Sequence, residues 1–363
     1  MSIALSMARR HLGRTAGNPS VGCVLTKDID GQARIIGRGV TAMGGRPHAE
    51  TEALRNAVAP VAGCTAYVTL EPCSHQGQTG PCCDALIDAK VGRVVIALED
   101  PNPKVAGQGI RKLAEAGIDV DVGILASEAR DATEAFLTRM EKSRPLVTLK
   151  VASSLDGRIA AHTGASQWIT NEFARRRAHL LRATHDAIMV GSNTALMDDP
   201  LLTCRIGGLE HHSPIRVIAD GRLRLPLTSK MVRSAGDRAT VVLTLKGGDR
   251  TRQRAFSDCG IDMVEISPGS DGLMDMKSAL GALAERGVNS VLVEGGAHLA
   301  SSLLQNDLVD RLVWFRAPSI MGGDGTGAVA PLGVDHPDTA PNFHLIQSRR
   351  LGDNVREIYA REI

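Results

Sequence analysis

Pro47-His48-Ala49-Glu50, Glu71-Pro72-Cys73 and Pro81-Cys82 are the stretches that decide how the first half of this 363-residue chain is read. His48, Cys73 and Cys82 form a zinc-ligand set, and Glu50 is a carboxylate left over. Three protein ligands leave the fourth tetrahedral position of Zn2+ open, whereas a structural site is closed by four. An open position points to hydrolytic chemistry, with Glu50 as proton shuttle and not as ligand. His48 and Glu50 are two residues apart and cannot share one face of a regular helix. They converge at a helix start, which Pro47 provides ahead of a helix-forming run, Glu52 to Ala57. Cys82 follows Gly80-Pro81 and precedes a plausible helix, Asp84-Ala85-Leu86-Ile87, so helix-end positive charge favours its thiolate over that of Cys83. The competing readings are a closed structural zinc site and unrelated thiols in a reduced protein.

Length and composition fit two domains of ordinary size. Basic residues number 42 against 40 acidic, and each half, divided at residue 144, is +1. Bulk charge marks neither half as a polyanion binder. Seven cysteines form an odd, irregular set, which suits metal ligands and free thiols in a reducing compartment rather than a disulfide framework. The amino-terminal segment carries its arginines after a short apolar run, the reverse of a signal peptide, and no later run approaches a membrane span. The expectation is a soluble cytoplasmic protein.

Short β-branched runs alternate with helical stretches: 21–25, 66–70, 94–97, 147–151, 188–190, 215–219, 240–244 and 290–293, the mark of α/β layers. A helix over Ser127 to Lys142 ends at Ser143-Arg144-Pro145, which sets a boundary between domains 1–144 and 145–363. In the strand Pro145 to Ala152, Val147, Leu149 and Val151 share one face, and Thr148, Lys150 and Ala152 the other. A lone Lys150 there is ordinarily solvent-facing. The run Val291-Leu292-Val293 leads into Glu294-Gly295-Gly296 and a helix from His298 to Leu304, where glycines let backbone N–H groups approach a phosphate. The bland alternative is a tight turn that needs glycine for its dihedrals. The spacing is not the G-x-G-x-x-G fingerprint of a Rossmann fold.

Nucleobase deaminases carry H-x-E followed by P-C-x-x-C. Here the first half matches, but Cys73 and Cys82 are nine positions apart. With that spacing the chain resembles the bifunctional riboflavin-biosynthesis deaminase/reductase family. The resemblance rests on Asn18-Pro19-Ser20-Val21-Gly22-Cys23, Pro47 to Glu50, Thr69 to His75, Thr79-Gly80-Pro81-Cys82-Cys83 and Asp100-Pro101-Asn102-Pro103 in the first half. In the second it rests on Ser154-Leu155-Asp156-Gly157-Arg158, Ser166-Gln167-Trp168-Ile169-Thr170, Asp198-Asp199-Pro200 and Val293-Glu294-Gly295-Gly296. Gly80 stands where the family usually has proline.

The resemblance implies an N-terminal cytidine-deaminase-like α/β/α domain and a C-terminal dihydrofolate-reductase-like α/β domain. It implies Zn2+ and NADPH as cofactors, and deamination of a pyrimidine ribosylamino phosphate followed by reduction of its ribose. Residue by residue, Ala152, Trp168, Thr194, Asp198 and the run Gly296, Ala297, His298, Leu299, Ala300, Ser301 and Ser302 would line NADPH. Ser166, Arg182, Leu202, Arg205 and Glu294 would hold the substrate, with Lys150 beside them. Arg182 and Arg205 suit its phosphate, since a guanidinium fork binds phosphate bidentately. Asn18 is a candidate for the pyrimidine edge or ribose, with a plain turn-former as its alternative. His75 is a candidate for the ribose phosphate, and as a fourth zinc ligand it would close the open position. A homo-oligomer built through the reductase domain is also expected. The rival readings are a monofunctional deaminase on a scaffold-only second domain, and a nucleic-acid binding or editing module. Near-neutral halves and 2% aromatic residues weigh against the latter.

Overall fold

The computed structural model describes residues 1–77, 80–102 and 105–361. Thr79 and Pro103, quoted in the motifs above, lie outside them. The chain divides into two compact units, Met1–Ser143 and Arg144–Ile363.

The first unit runs α1 (Ser2–Arg10), β1 (Gly22–Ile29), β2 (Gln32–Val40), α2 (Ala49–Arg55), β3 (Thr65–Val68), α3 (Cys82–Asp88), β4 (Arg93–Ile96), α4 (Gln108–Glu115), β5 (Asp119–Val122) and α5 (Ala126–Lys142). The sheet order is β2-β1-β3-β4-β5. β3, β4 and β5 are parallel, while β1 is antiparallel to both its neighbours. Asp30 and Gly31, both at positive φ, turn β1 into β2, as a two-residue hairpin loop requires. The core joins Cys23, Leu25, Ala66, Val68, Val94 and Ile96 of the strands to Ala49, Ala53, Leu86, Leu113 and Leu137 of the helices. Gly37 and Gly39 let α2 lie directly on β2, because a Cβ at Gly39 would stand 2.0 Å from Ala49 O. That contact fixes the start of α2, where His48 and Glu50 sit.

The second unit runs β6 (Leu146–Ser153), β7 (Arg158–Ala160), α6 (Glu172–Ala183), β8 (Ala187–Gly191), α7 (Ser192–Asp198), β9 (Ile215–Ala219), α8 (Lys230–Arg233), β10 (Thr240–Leu245), α9 (Arg250–Asp258), β11 (Asp262–Ile266), α10 (Met276–Glu285), β12 (Ser290–Glu294), α11 (Ala297–Gln305), β13 (Arg311–Arg316), β14 (Thr326–Gly327), β15 (Phe343–Leu351) and β16 (Asn354–Arg361). Its nine-stranded sheet has the order β11-β10-β9-β8-β12-β6-β13-β16-β15. The strands from β11 to β13 are parallel, and β16 and β15 close the sheet antiparallel. Val147, Leu149 and Val151 enter the core with Val291, Val293, Met189 and Leu303. Parallel pairing of β12 with β6 sets Glu294 opposite Lys150.

Arg144 anchors the start of this unit. Its Nη1 and Nη2 donate to Asp310 Oδ2 and Oδ1 at 2.6 and 2.7 Å, and the same carboxylate accepts Val147 N–H at 2.9 Å. Both side chains are 10% exposed, so removing one partner strands a buried charge. Asp310→Ala is expected to cost the second unit roughly 3 kcal/mol or more. Denaturant unfolding of the full chain, followed by a probe in that unit, reads this loss.

Candidate active sites

In the first unit two helix starts meet. His48 is the N-cap of α2, Glu50 lies in that helix's first turn, and Cys82 is the first residue of α3. His48 Nδ1 stands 3.3 Å from Cys82 Sγ and 3.6 Å from Cys73 Sγ, and Cys82 N–H donates to Cys73 Sγ at 3.4 Å. All three donor atoms lie within 4.8 Å of one another, the one such metal-competent group among the described residues. Cys83 turns away, donating from Sγ to Pro72 O at 3.2 Å inside the core.

The two sulfurs are pushed in opposite directions. A hydrogen bond from Cys82 draws the Cys73 thiol down to about 4, and the same bond, with burial, raises that of Cys82. Two cysteine sulfurs and an imidazole at this spacing are a donor set that fits a borderline-soft cation such as Zn2+. Glu50 is 3% exposed. Burial pushes its carboxyl up to about 7, and the charge on Cys73 adds to the rise. His75 is exposed and outside the cluster. Asn18 donates from Nδ2 to Thr15 O at 3.3 Å and packs against Gly45.

In the second unit the β6–β12 register brings Lys150 Nζ within 3.9 Å of Glu294 Oε2. Lys150 is therefore not the solvent-facing residue that its position in a strand suggested; its side chain is 17% exposed. Arg182, from the end of α6, grips Glu294 with Nε to Oε1 at 2.7 Å and Nη2 to Oε2 at 2.9 Å, while Nη1 donates to Thr203 O at 2.9 Å. The expected phosphate fork of Arg182 is thus spent on a carboxylate. Burial by itself would raise the Glu294 carboxyl, but Arg182 and Lys150 outweigh it and hold it at about 2. Burial lowers Lys150, against the pull of Glu294.

Gly295 and Gly296 both have positive φ and open α11. Thr194 lies against both, 3.3 Å from where a Gly296 Cβ would stand. Ala297 and Ser302 are half-buried and His298 is exposed. Leu299 and Ala300 belong to the core, and Ser301 donates to Ala330 O at 2.9 Å. Leu202 is likewise buried, 3% exposed and packed among core residues. Asp198 ends α7 on the surface, Ser166 is half-buried in the loop before α6, and Ala152 packs against Ala174, Ala178, Val313 and Phe315.

Two residues escaped the sequence reading. Arg175 stacks over the Trp168 ring at 4.7 Å. His179 meets Arg205 through its backbone N–H and its Nη2, each at 3.3 Å. Burial and two flanking arginines lower His179 to about 4. Their spacing, 175, 179 and 182, is one face of a helix, a signal available once α6 is recognised.

Residues 145–356 match the family model of the RibD C-terminal domain, and residues 1–98 that of the cytidine and deoxycytidylate deaminase zinc-binding region. The chain belongs to the RibD family. The riboflavin biosynthesis protein RibD of Escherichia coli is 40% identical, over 98% of this chain and 96% of its own length. That of Aquifex aeolicus is 41% identical, over 99% and 97%. Among solved structures, an Acinetobacter baumannii RibD superposes with a TM-score of 0.88 at 36% identity, covering 99% of this chain and 97% of its own. A Thermotoga maritima diaminohydroxyphosphoribosylaminopyrimidine deaminase/5-amino-6-(5-phosphoribosylamino)uracil reductase gives 0.84 at 34%, covering 100% and 97%. The fold is therefore a cytidine-deaminase-like unit joined to a RibD reductase unit.

The geometry separates two neighbouring thiols. Cys82→Ser, Cys73→Ser and His48→Ala are each expected to lose the roughly one bound zinc per chain, and Cys83→Ser to keep it. Elemental analysis of the purified variants reads this.

Proposed function

We infer that the chain is a bifunctional enzyme of riboflavin biosynthesis, and that its two sites act in turn on one pyrimidine ribosylamino phosphate. The first hydrolytically removes an amine from the diaminopyrimidinone; the second reduces the ribosyl group to ribityl. The observation that carries this reading is the presence on one chain of the His48/Cys73/Cys82 cluster with Glu50 and of the Lys150–Glu294–Arg182 cluster.

Zinc held by His48, Cys73 and Cys82 supplies an activated water when bound. Glu50, buried in the first turn of α2, moves the protons. Its carboxylate accepts one as water adds to the ring carbon and returns one to the departing ammonia. Asn18 and His75 are the residues we assign to the substrate's ribose and phosphate. NADPH supplies the hydride for the second reaction.

In the reductase unit, the paired positive φ of Gly295 and Gly296 at the start of α11 leaves backbone N–H groups open to a cofactor phosphate. Thr194, Ala297 and Ser302 flank that turn. Trp168, held by Arg175, together with Ala152, Asp198, His298 and the backbone of Leu299, Ala300 and Ser301, completes the proposed cofactor wall. Glu294, kept ionised by Arg182 and Lys150, offers a fixed acceptor to the substrate's hydroxyls. Arg205, exposed beside His179, takes the phosphate, while Ser166 and the Leu202 backbone border it. A scaffold-only second domain has no use for three charged side chains desolvated together, and that weighs against the monofunctional reading.

We place the enzyme in the cytoplasm, since all seven cysteines are free and no helix among the described residues is long and apolar enough to cross a membrane. We also propose a homo-oligomer through the reductase unit. Edge strand β15 exposes Leu345 and Ile346, 55% and 56% accessible, the form of a sheet edge that pairs with another copy.

Glu50→Gln is expected to keep its zinc and lose ammonia release by about 100-fold or more, while reducing pre-deaminated substrate normally. Arg205→Lys should raise KM for that substrate about tenfold and leave NADPH affinity unchanged, because an ammonium lacks the planar fork. Gly296→Val should do the reverse, since a side chain at that positive φ obstructs the cofactor's approach. Fluorescence titration of NADPH and initial rates of its oxidation separate the two.

A further inference from the structure

We propose that Glu71 is a positioning residue of the metal site, its carboxylate clamping the Cys73 loop to the start of α4 so that the Cys73 sulfur is held at the metal before the metal arrives. The proposal rests on the reading that His48, Cys73 and Cys82 hold zinc.

Glu71 is 4% exposed and lies two residues before Cys73. Its carboxylate accepts four backbone N–H groups. Oε1 takes those of Gly109 at 2.8 Å and Ile110 at 3.3 Å; Oε2 takes those of Gly107 at 3.0 Å and Asp100 at 3.1 Å. Gly109 and Ile110 are in the first turn of α4, whose N-terminal amides have no partner within the helix. A carboxylate set there is favoured by both hydrogen bonding and the helix dipole.

The clamp is transmitted over a short, stiff path. Glu71 N–H donates to Leu98 O at 2.9 Å. Pro72, with its φ fixed by the ring, presents its carbonyl to the Cys83 thiol at 3.2 Å. The same carbonyl is so close to α4 that a Cβ on Gly109 would stand 2.2 Å from it. Cys73 O then accepts Cys83 N–H at 3.1 Å, and Cys73 Sγ accepts Cys82 N–H at 3.4 Å. The loop is thus fastened to α4 through Glu71 and to α3 through Cys73. With α4 released, the loop keeps its backbone bond to Leu98 and its α3 contacts but loses the four bonds of the carboxylate.

Glutamine at this position has the right shape and the wrong chemistry. An amide has one acceptor oxygen, so in either orientation its NH2 faces two backbone N–H groups. Partners that orient a ligand from outside the coordination shell typically alter metal affinity 10–100-fold. The test uses the full chain with Glu71→Gln, and Asp84→Asn as a control. Asp84 also ties α3 to α4, by an exposed ion pair to Lys112, so it serves as the control for helix docking.

Zinc affinity is measured by competition with a chromophoric chelator, and site geometry by the thiolate-to-metal absorption of the Co2+-loaded protein. Glu71→Gln is expected to weaken zinc binding about 10-fold or more and to shift the cobalt bands, with NADPH-dependent reduction of the deaminated intermediate unchanged. Asp84→Asn should match the parent in all three. Parental affinity and parental bands in Glu71→Gln overturn the proposal, as does an equal loss in Asp84→Asn. If Glu71→Gln does not fold, Ile110→Pro decides. It deletes one of the four donors at a helix start where proline is tolerated, and must shift the cobalt bands in the same direction to sustain the proposal. A parent that binds neither zinc nor cobalt instead overturns the metal reading itself.

Discussion

The approach of two helix N-termini is the constraint on which the first unit depends. His48 Nδ1 and the sulfurs of Cys82 and Cys73 stand 3.3 and 3.6 Å apart in a protein that also keeps a carboxylate out of water beside them. Helix starts achieve this because their amides favour anionic sulfur and their first turns project side chains forward along the axis. The rest of the unit serves that meeting. Gly37 and Gly39 seat α2 on the sheet, and parallel β3 and β4 deliver the Cys73 loop and place α3 between them.

In the second unit strand register has the same role. Lys150 and Glu294 are 144 positions apart in the sequence, yet the pairing of β6 with β12 sets them opposite each other, and Arg182 closes the group from α6. Three charges brought into a half-buried site are costly unless each satisfies another. The depressed Glu294 and the lowered Lys150 show how the balance falls, with the anion kept ionised and the ammonium the less comfortable partner.

Much of this was legible in the sequence, and what was not has physical causes. The His48, Cys73 and Cys82 choice followed from spacing and helix-end electrostatics, and the alternating runs located the central strands. β2, β5, β7, β11, β13, β14, β15 and β16 were missed. β15 and β16 are rich in arginine and polar residues because they form the solvated antiparallel end of the sheet, so they lack the apolar runs that mark buried parallel strands. β2 was signalled by Asp30-Gly31, a turn cue that went unused. The pairing of Arg182 with Glu294 and the core positions of Leu202, Leu299, Ala300 and Ser301 depend on register and on helix phase, neither of which a resemblance specifies. His179 and Arg175 become visible once α6 is fixed as a helix.

The most direct measurement is a coupled single-turnover experiment on the intact chain, with the diaminopyrimidinone ribosylamino phosphate and NADPH, before and after removal of zinc by a chelator. Two sites acting in sequence predict one ammonia released per NADPH oxidised. They also predict that chelation abolishes both signals from this substrate, while NADPH oxidation with the deaminated intermediate is untouched. NADPH oxidation that persists from the amino substrate after zinc removal, or that never occurs with the deaminated intermediate, contradicts the division of chemistry between the two units.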